Sequence, residues 1–234
     1  MKIAVMQPYI FPYVTYFQLI RAVDKFVLYD DVNFIKQGWI NRNNVLINNA
    51  PYLFTVPLKH QSSFAKINET MINESLYPLW KHKFLRSLEQ NYKKAPCFHE
   101  VLSLVKIILE TNPDTIASLA CESILRVSEY LNIETVFVHS YSNYGNDFLK
   151  GEERVLDICT QENATDYLNL PGGMALYSSE HFMERNINLK FVKSGNIAYS
   201  QQRDTFTPNL SIIDILMYNE IDDVNRILNN YELI

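Results

Sequence analysis

The sequence predicts an α/β fold, in which a mostly parallel sheet is flanked by helices and accompanied by an inserted β-hairpin and helical region. Short apolar runs typical of buried strands alternate with longer segments whose apolar residues recur at helical spacing. Two such runs and the helical segment between them lie within residues 2–30, which favours a parallel pair joined by a right-handed crossover. Further along, two strand-like runs flank a turn signal at residues 48–51, which predicts a hairpin.

The elements of the N-terminal half follow from these patterns in chain order. A strand at 2–6 precedes a loop that Pro8 and Pro12 keep irregular, because proline fixes φ and has no N–H to donate. A helix is then predicted at 14–23, a strand at 25–30 and a hairpin at 43–58. Three helices follow at 77–92, 98–110 and 114–131. The last helix has the clearest pattern, since its apolar residues form one stripe and Asp114 precedes them as a candidate N-cap.

The C-terminal half is predicted to alternate three more strands with helices. The strands are expected at 134–139, 165–169 and 188–193, and the helices at 151–163, 174–185, 209–218 and 222–231. Ser211 and Asp222 are candidate start signals for the last two helices. We expect the whole chain, 1–234, to form a single α/β domain, with residues 40–112 as a candidate insertion.

Composition and charge exclude several classes of protein. The chain has 234 residues, of which 47% are hydrophobic and 20% charged, and this composition excludes a disordered or collagen-like protein. Its net charge of −5 disfavours nucleic-acid binding, which needs a broad basic face. Residues 1–60 alone carry six Lys and Arg against three acids, an excess that suits a small anionic ligand or is ordinary solvated charge.

The spacing of cysteine and histidine predicts neither a disulfide framework nor a metal site. Cys97, Cys121 and Cys159 lie far apart, and the histidines are scattered, with His139 at the end of a predicted strand. No apolar run approaches the ~18 residues of a membrane span, and the first run is too short for a secretory signal. We therefore expect a cytoplasmic protein with reduced thiols.

The first candidate binding residues, Gln7, Tyr9 and Tyr13, lie in the loop between the first strand and the first helix. Ligands of open α/β sheets bind outside the carboxyl ends of the strands. At that place tyrosines supply stacking faces and phenol donors, and the start of the helix offers N–H groups to an anion. The alternative interpretation is that these aromatic rings only pack on the sheet.

Two adjacent carboxylates, Asp30 and Asp31, end the second predicted strand and are candidate catalytic residues. Neighbouring strand residues point to opposite faces, so we expect them not to share a proton and one of them to act as acid, base or hydroxyl acceptor. The following loop adds the candidate substrate contacts Lys36, Trp39, Asn41 and Arg42. The two cations suit phosphate or carboxylate, while turn aspartates with surface salt bridges are the alternative.

Three later groups complete the candidate set. Lys81 and His82 lie on the helix at 77–92, as a candidate substrate contact and a candidate catalytic residue, although such a basic face is more often only solvated. Gly172 and Gly173 separate a strand from a helix, where a ligand can approach the backbone N–H groups, or they form a tight connection without a ligand. Tyr177 and Gln201 are the remaining candidate contacts. The motifs HExxH, GxSxG and GxGxxG are absent.

Five motifs stand out along the chain: MQPYIFPYVTYFQLIRAVDKFVLYDDVNFIKQGWINRNNV at the beginning, TVPL at 55–58, WKHKF at 80–84, NLPGG at 169–173 with Tyr177, and YSQ…FTPNLSIIDIL at 199–216. Together they resemble the WbqC-like protein family. The resemblance runs from residue 3 to about 220, with Thr15 standing where the family pattern is expected to have glycine. It implies a place in bacterial surface-polysaccharide (O-antigen type) gene clusters and modification of a sugar or nucleotide-sugar. It transfers no settled catalytic residues.

A weaker likeness to nucleotidylyltransferase-like α/β folds rests on the strand, the aromatic and proline-rich loop and the helix. Tyr13 and Tyr16 stand roughly where those folds have paired histidines, so no imidazole would stabilise a transferring phosphate there.

These observations lead to the hypothesis of an enzyme that transfers a group on a phosphorylated or nucleotide-activated sugar, with a non-catalytic ligand-binding or scaffold protein of the same pathway as the alternative. The expected partner is a small anionic or sugar-containing substrate, without nucleic acid or a membrane span. No cofactor follows from the residues, and a nucleotide with Mg²⁺ is one candidate. The oligomeric state stays open.

Overall fold

The computed structural model of the chain describes residues 1–203 and 205–234. The strands are β1 (Lys2–Met6), β2 (Lys25–Leu28), β3 (Arg42–Ile47), β4 (Ala50–Thr55), β5 (Val136–His139), β6 (Asp166–Asn169), β7 (Asn188–Ser194) and β8 (Tyr231–Leu233). The helices are α1 (Val14–Arg21), α2 (Tyr77–Tyr92), α3 (Phe98–Leu109), α4 (Ile116–Tyr130), α5 (Ser140–Asn143), α6 (Gly151–Gln161), α7 (Ser179–Glu184), α8 (Ile212–Tyr218) and α9 (Ile221–Leu228). Two 3₁₀ turns cover Ile67–Glu69 and Pro171–Leu176.

Six strands form one sheet in the order β5-β2-β1-β6-β7-β8, and β3 with β4 forms a separate antiparallel hairpin. All neighbours in the large sheet are parallel except β7 and β8. The predicted fold class, a mostly parallel sheet with helices and an inserted hairpin and helical region, is therefore confirmed. None of the described helices combines the length and the apolar character that a membrane crossing requires.

Both faces of the parallel sheet are buried, as the unbroken apolar sequence of β1 predicts. Ala4 packs into a large core with α1, α4 and α8, whereas Ile3 and Val5 pack into a second core with α6. Alternate side chains of one strand thus reach opposite layers of helices. Residues of the hairpin, such as Val45 and Phe54, belong to the larger core, so the hairpin packs into the same core as α1, α4 and α8.

Most predicted elements agree with the structure, and the differences are local. The predicted helix at 174–185 is instead the 3₁₀ turn and α7, because the chain is extended at Tyr177 and Ser178 between them. The predicted last helix ends early at Leu228, and β8 follows it. Thr115, not Asp114, is the N-cap of α4, and its hydroxyl accepts the Ser118 N–H at 3.2 Å.

Candidate functional site

The strand order reverses between β1 and β6, since the chain builds outward from β1 on one side and from β6 on the other. Ligands of open α/β sheets bind at such switch points, outside the carboxyl ends of the strands. A cleft of about 480 Å³ lies there. Its polar and aromatic lining residues are Gln7, Tyr9, Tyr13, Tyr29, Glu152, Asn169 and Tyr177, and Gly151, Gly172 and Gly173 bring backbone to its wall.

The loop after β1 is held in a preformed shape by its backbone. Phe11 is fully buried and has φ of 41°, a strained value for a residue with a side chain. Three hydrogen bonds hold it: its N–H donates to Ser123 Oγ at 3.0 Å, and its carbonyl accepts from Asn43 Nδ2 and Ser211 Oγ, both at 2.8 Å. Strain that several contacts maintain is typical of ligand sites.

Two tyrosines of this loop face the cleft as neutral phenols. Burial, with a smaller effect of Tyr13, raises the pKa of Tyr9 to about 12. Burial also raises the pKa of Tyr13. Behind them, the Tyr16 hydroxyl donates to the Gln7 carbonyl at 2.8 Å, and its ring lies 5.6 Å from that of Tyr9. At neutral pH these phenols therefore present rings and O–H groups to a ligand.

The opposite wall of the cleft is built on the end of β6. Asn169 accepts the Leu170 N–H at 2.7 Å and donates to the Tyr167 hydroxyl at 2.8 Å. That hydroxyl donates to the Tyr177 hydroxyl at 3.1 Å. A Cβ at Gly173 would lie 3.2 Å from Asn169 Oδ1, so the glycine lets the chain turn tightly over this side chain.

The charge of the cleft is carried by an acid. None of its lining residues, within the described part of the chain, is Lys or Arg. Glu152, in the first turn of α6, accepts the Ser178 N–H at 3.1 Å and lies 3.1 Å from Nδ1 of the exposed His181. The cleft is consequently an aromatic and largely apolar site, in which positive potential comes from the beginning of α6 and not from side chains.

Beside this cleft, the ends of β2 and β5 bring two carboxylates to one serine. Ser140 Oγ lies 3.2 Å from Asp30 Oδ1 and also hydrogen-bonds Asp31 Oδ1. Asp30 Oδ2 lies 2.9 Å from Nδ1 of the half-exposed His139. The expectation that Asp30 and Asp31 diverge is wrong, because β2 already ends at Leu28 and strand alternation no longer applies to them.

Arg154 of α6 compensates the second carboxylate. It is buried, its Nη2 lies 2.5 Å from Asp31 Oδ2, and its Nε donates to Asn146 Oδ1 at 3.0 Å. Its guanidinium carbon also lies 4.9 Å from the centre of the Tyr29 ring. Since Tyr29 lines the switch-point cleft, this stacked pair separates the cleft from the polar network.

A second, polar cleft of about 370 Å³ opens on the far side of Arg154. Asp31 and Ser140 line it, together with Lys66, Asn68, Glu69, Tyr141, Gly145, Asn146, Asp147 and Arg154. The side-chain oxygen of Asn68 is buried without a hydrogen-bond partner among the described residues. The two clefts are therefore adjacent and chemically unlike.

One set of potential metal ligands lies in the same region. Asp30, Cys121 and His139 bring one ligand atom each within 4.8 Å of one another. Burial, followed by the charge of Asp30, raises the pKa of Cys121 well above its ordinary value, so the free group is a neutral thiol. Asp30 and His139 are already bonded to each other. As it stands, the set is a hydrogen-bonded pair beside a thiol.

Eight of the predicted site residues are brought to this edge of the sheet. Gln7, Tyr9, Tyr13, Gly172, Gly173 and Tyr177 line the switch-point cleft, and Asp30 and Asp31 belong to the network beside it. The loops after β1, β2 and β6 do converge, as the topology of parallel strands requires.

The structure does not bring the predicted cations of the 36–42 loop to the cleft. Lys36 is exposed, and Arg42 turns back to donate to the carbonyls of Gly38 and Gln37. Trp39 stacks with Arg42, whose guanidinium carbon lies 6.0 Å from the ring, and lines a separate surface hollow. Asn41 is buried and donates to the Val56 carbonyl.

The other predicted contacts also lie elsewhere. Lys81 Nζ lies 5.9 Å from the centre of the Tyr77 ring, and His82 is exposed on α2. Gln201 is buried and donates to Asp214 Oδ2 at 2.8 Å. These three residues contribute to the outer surface or to the scaffold, and none of them lines either cleft.

Sequence reasoning missed Arg154 and Ser140, and it noted His139 at the end of a predicted strand without including it among the candidate site residues. Arg154 carried a usable signal, because it shares the apolar stripe of α6 with Val155 and Ile158. A charged residue on a buried helix face implies a buried partner of opposite charge. Ser140 had no comparable signal.

The fold and the cleft define an open-sheet α/β protein with a ligand site at its switch point. The chain belongs to the WbqC-like protein family, whose model matches residues 7–226. An uncharacterized protein of Mycobacterium tuberculosis is 32% identical over 219 residues, which cover 92% of each chain. No solved structure matches the chain.

Proposed function

We propose that this chain transfers a group on a phosphorylated or nucleotide-activated sugar in bacterial surface-polysaccharide synthesis. The observation that carries the proposal is the juxtaposition of two unlike clefts at the carboxyl edge of the sheet, with an acid–base pair beside them. A transferase needs a place for each of two substrates and a group that moves a proton between them. The family membership is consistent with this role.

The switch-point cleft suits the activated donor. Tyr9, Tyr13 and Tyr177 offer stacking surface to a base or a sugar ring. A phosphate in this cleft would meet backbone N–H groups at the start of α6 and at Gly172. The Gly173 N–H already donates to the Leu170 carbonyl at 2.9 Å. This revises the expectation from sequence, which assigned phosphate binding to Lys36, Arg42 and Lys81.

The polar cleft suits a hydroxylated acceptor. Its carboxylates and amides can accept and donate hydrogen bonds to sugar hydroxyls, and Tyr141 offers a ring. Asp30 orients His139 through Nδ1, which leaves Nε2 free. His139 does not itself line the polar cleft but directly precedes Ser140 and Tyr141, which do, so an acceptor bound there would have to extend a hydroxyl to Nε2 to give up its proton. That oxygen then bonds to the transferred group as the leaving group departs with its electron pair. Asp31 is held by Arg154 and positions Ser140.

A panel of UDP-, GDP- and dTDP-sugars tests the proposal in two stages. Binding is followed by saturation-transfer NMR, and transfer by mass spectrometry after incubation with free monosaccharides as acceptors. We expect one nucleotide-sugar to bind, and His139→Gln and Asp30→Asn to lower its turnover about 10²- to 10⁴-fold while binding remains. Gly172→Val adds bulk at the wall of the cleft and should weaken binding.

The matched control is Asp222→Asn, an exposed carboxylate on α9, which should leave binding and turnover unchanged. Binding without turnover in the unaltered protein would instead support a ligand-binding or scaffold protein. If no nucleotide-sugar binds, or if Gly172→Val binds as well as the unaltered chain, the assignment of the cleft is wrong.

A further inference from the structure

The exposed face of α2 and of the residues that flank it carries cations and leucines. Their side chains lie opposite the buried residues Phe84, Leu88 and Tyr92, with Gln90 between the cations of the helix and those that follow it. The acid of this helix, Glu89, lies at the edge of the face and is paired with Lys106. We call these residues the basic stripe: Leu76, Leu79, Lys83, Arg86, Lys93 and Lys94. Leu76 and Leu79 are 53% and 54% exposed, and the four cations are exposed as well.

The four cations of the basic stripe have no ionic partner among the residues that the structure describes. The acids nearest to them along the chain form salt bridges with other lysines. Glu74 pairs with Lys59 at 2.5 Å, and Glu89 pairs with Lys106 at 3.2 Å. The stripe is therefore a local positive surface on a chain of net charge −5.

The helix presents this surface rigidly. Trp80 stacks between Tyr77 and Phe84, with ring centres 5.6 Å and 5.4 Å apart, and Phe84 packs 4.6 Å from Phe54 of the hairpin. Because the inner face is fixed in the core, the outer face can dock without a folding cost. Neither ligand cleft includes a residue of this helix.

We propose that the basic stripe docks the protein on an anionic lipid surface. Cations at such a surface gain from the negative headgroup potential. The two exposed leucines at the beginning of α2 are placed to enter the interface between headgroups and acyl chains. A nucleic acid would satisfy the cations but would leave both leucines in water. An anionic lipid surface accounts for both the cations and the leucines of the basic stripe.

Vesicle co-sedimentation with the full chain tests this docking. The probes are vesicles of phosphatidylcholine alone and of phosphatidylcholine mixed with phosphatidylglycerol. We expect binding to the anionic vesicles only, weakened by salt. Each neutralised cation should lower the partition coefficient about fivefold, so Lys83→Gln with Arg86→Gln should lower it about twenty-five-fold. Leu79→Ser should lower binding without changing its salt dependence.

Arg126→Gln on α4 is the matched control, since Arg126 is an exposed arginine paired with Glu122 and Glu129, and it should bind like the unaltered chain. Circular dichroism and the unfolding temperature of each variant confirm that it is folded. Three results would overturn the proposal: equal partition into both kinds of vesicle, no binding to either, or an RNA oligonucleotide that binds the stripe more tightly than the anionic vesicles do.

Discussion

Buried carboxylates occur in two regions of this molecule, and their surroundings differ. At the sheet edge, Asp31 is balanced by the charge of Arg154 and lines an open cleft. In the scaffold, Asp214 of α8 is fully buried and accepts three neutral donors, the hydroxyls of Tyr92 and Tyr199 at 2.7 Å and Gln201 Nε2 at 2.8 Å. One group is compensated by charge and the other by hydrogen bonds.

The difference separates a site from a scaffold. Asp214 has its oxygens occupied by side chains from α2 and the 199–201 segment, so no ligand can reach it without breaking these contacts. The network around Asp30 and Asp31 includes a half-exposed imidazole and borders two clefts. A buried acid by itself is thus a poor guide to function, whereas a buried acid whose network reaches open space is a better one.

The largest expected effect concerns the ion pair at the sheet edge. Asp31→Ala leaves the buried Arg154 guanidinium without its counter-charge and should lower the free energy of unfolding by about 3–5 kcal/mol. In the double variant with Arg154→Leu neither charge of this ion pair remains buried, so the loss should be smaller than for Asp31→Ala alone. Urea denaturation measures both. Arg154→Leu alone completes the comparison. If the loss of the double variant equals the sum of the losses of Asp31→Ala and Arg154→Leu, the pair does not function as a unit.

The two tyrosines that bind Asp214 should differ in the cost of their removal. Tyr199→Phe removes one hydrogen bond to the carboxylate and should cost about 1.5–3 kcal/mol. Tyr92→Phe should cost about 1 kcal/mol more, because the Tyr92 hydroxyl also accepts the buried Leu46 N–H at 2.8 Å. Urea denaturation of both variants gives the comparison. Equal costs would mean that Leu46 finds another acceptor, and the scaffold cluster would be less closed than the structure shows.

The sequence was sufficient to predict the elements with strong local periodicity. The helix predicted at 77–92 matches α2, and the hairpin was predicted from its turn. β8 was missed because its signal is not local: three residues pair with β7 near position 193, far back along the chain. The cleft was predictable from loops that follow parallel strands. The burial of Arg154 could have been predicted from its place on the apolar stripe of α6, but its partner Asp31 could not, because the pair forms only when α6 packs beside the end of β2.

The adjacent glycines of the cleft should respond differently to a methyl group. Gly173→Ala forces Asn169 to move and weakens its bonds to Tyr167 and Leu170, so we expect a loss of about 1 kcal/mol. Gly172→Ala meets nothing within 4 Å and should stay within about 0.5 kcal/mol of the unaltered chain. Thermal unfolding measures both. A larger loss for Gly172→Ala would contradict the wall geometry described here.

The smallest effect we expect is a dependence of stability on pH that belongs to Asp214. Burial raises its pKa above the ordinary 3.8, and the hydrogen bonds from Tyr199, Tyr92 and Gln201 oppose this only in part. Between 3.8 and the raised value the folded chain keeps a proton that the unfolded chain has lost. The contribution of Asp214 to the unfolding free energy therefore falls as the pH rises through this window.

The comparison of the unaltered chain with Asp214→Asn isolates this contribution, since the amide does not titrate. The difference in unfolding free energy between the two, measured in urea from about pH 4 to pH 7, should shift against the unaltered chain as the pH rises. Asp222→Asn, exposed on α9, should show no such shift. A difference that moves the other way would mean that the three donors outweigh burial. Asp214 would then be stabilised as an anion, and the contrast between the two regions would rest on access to a cleft alone.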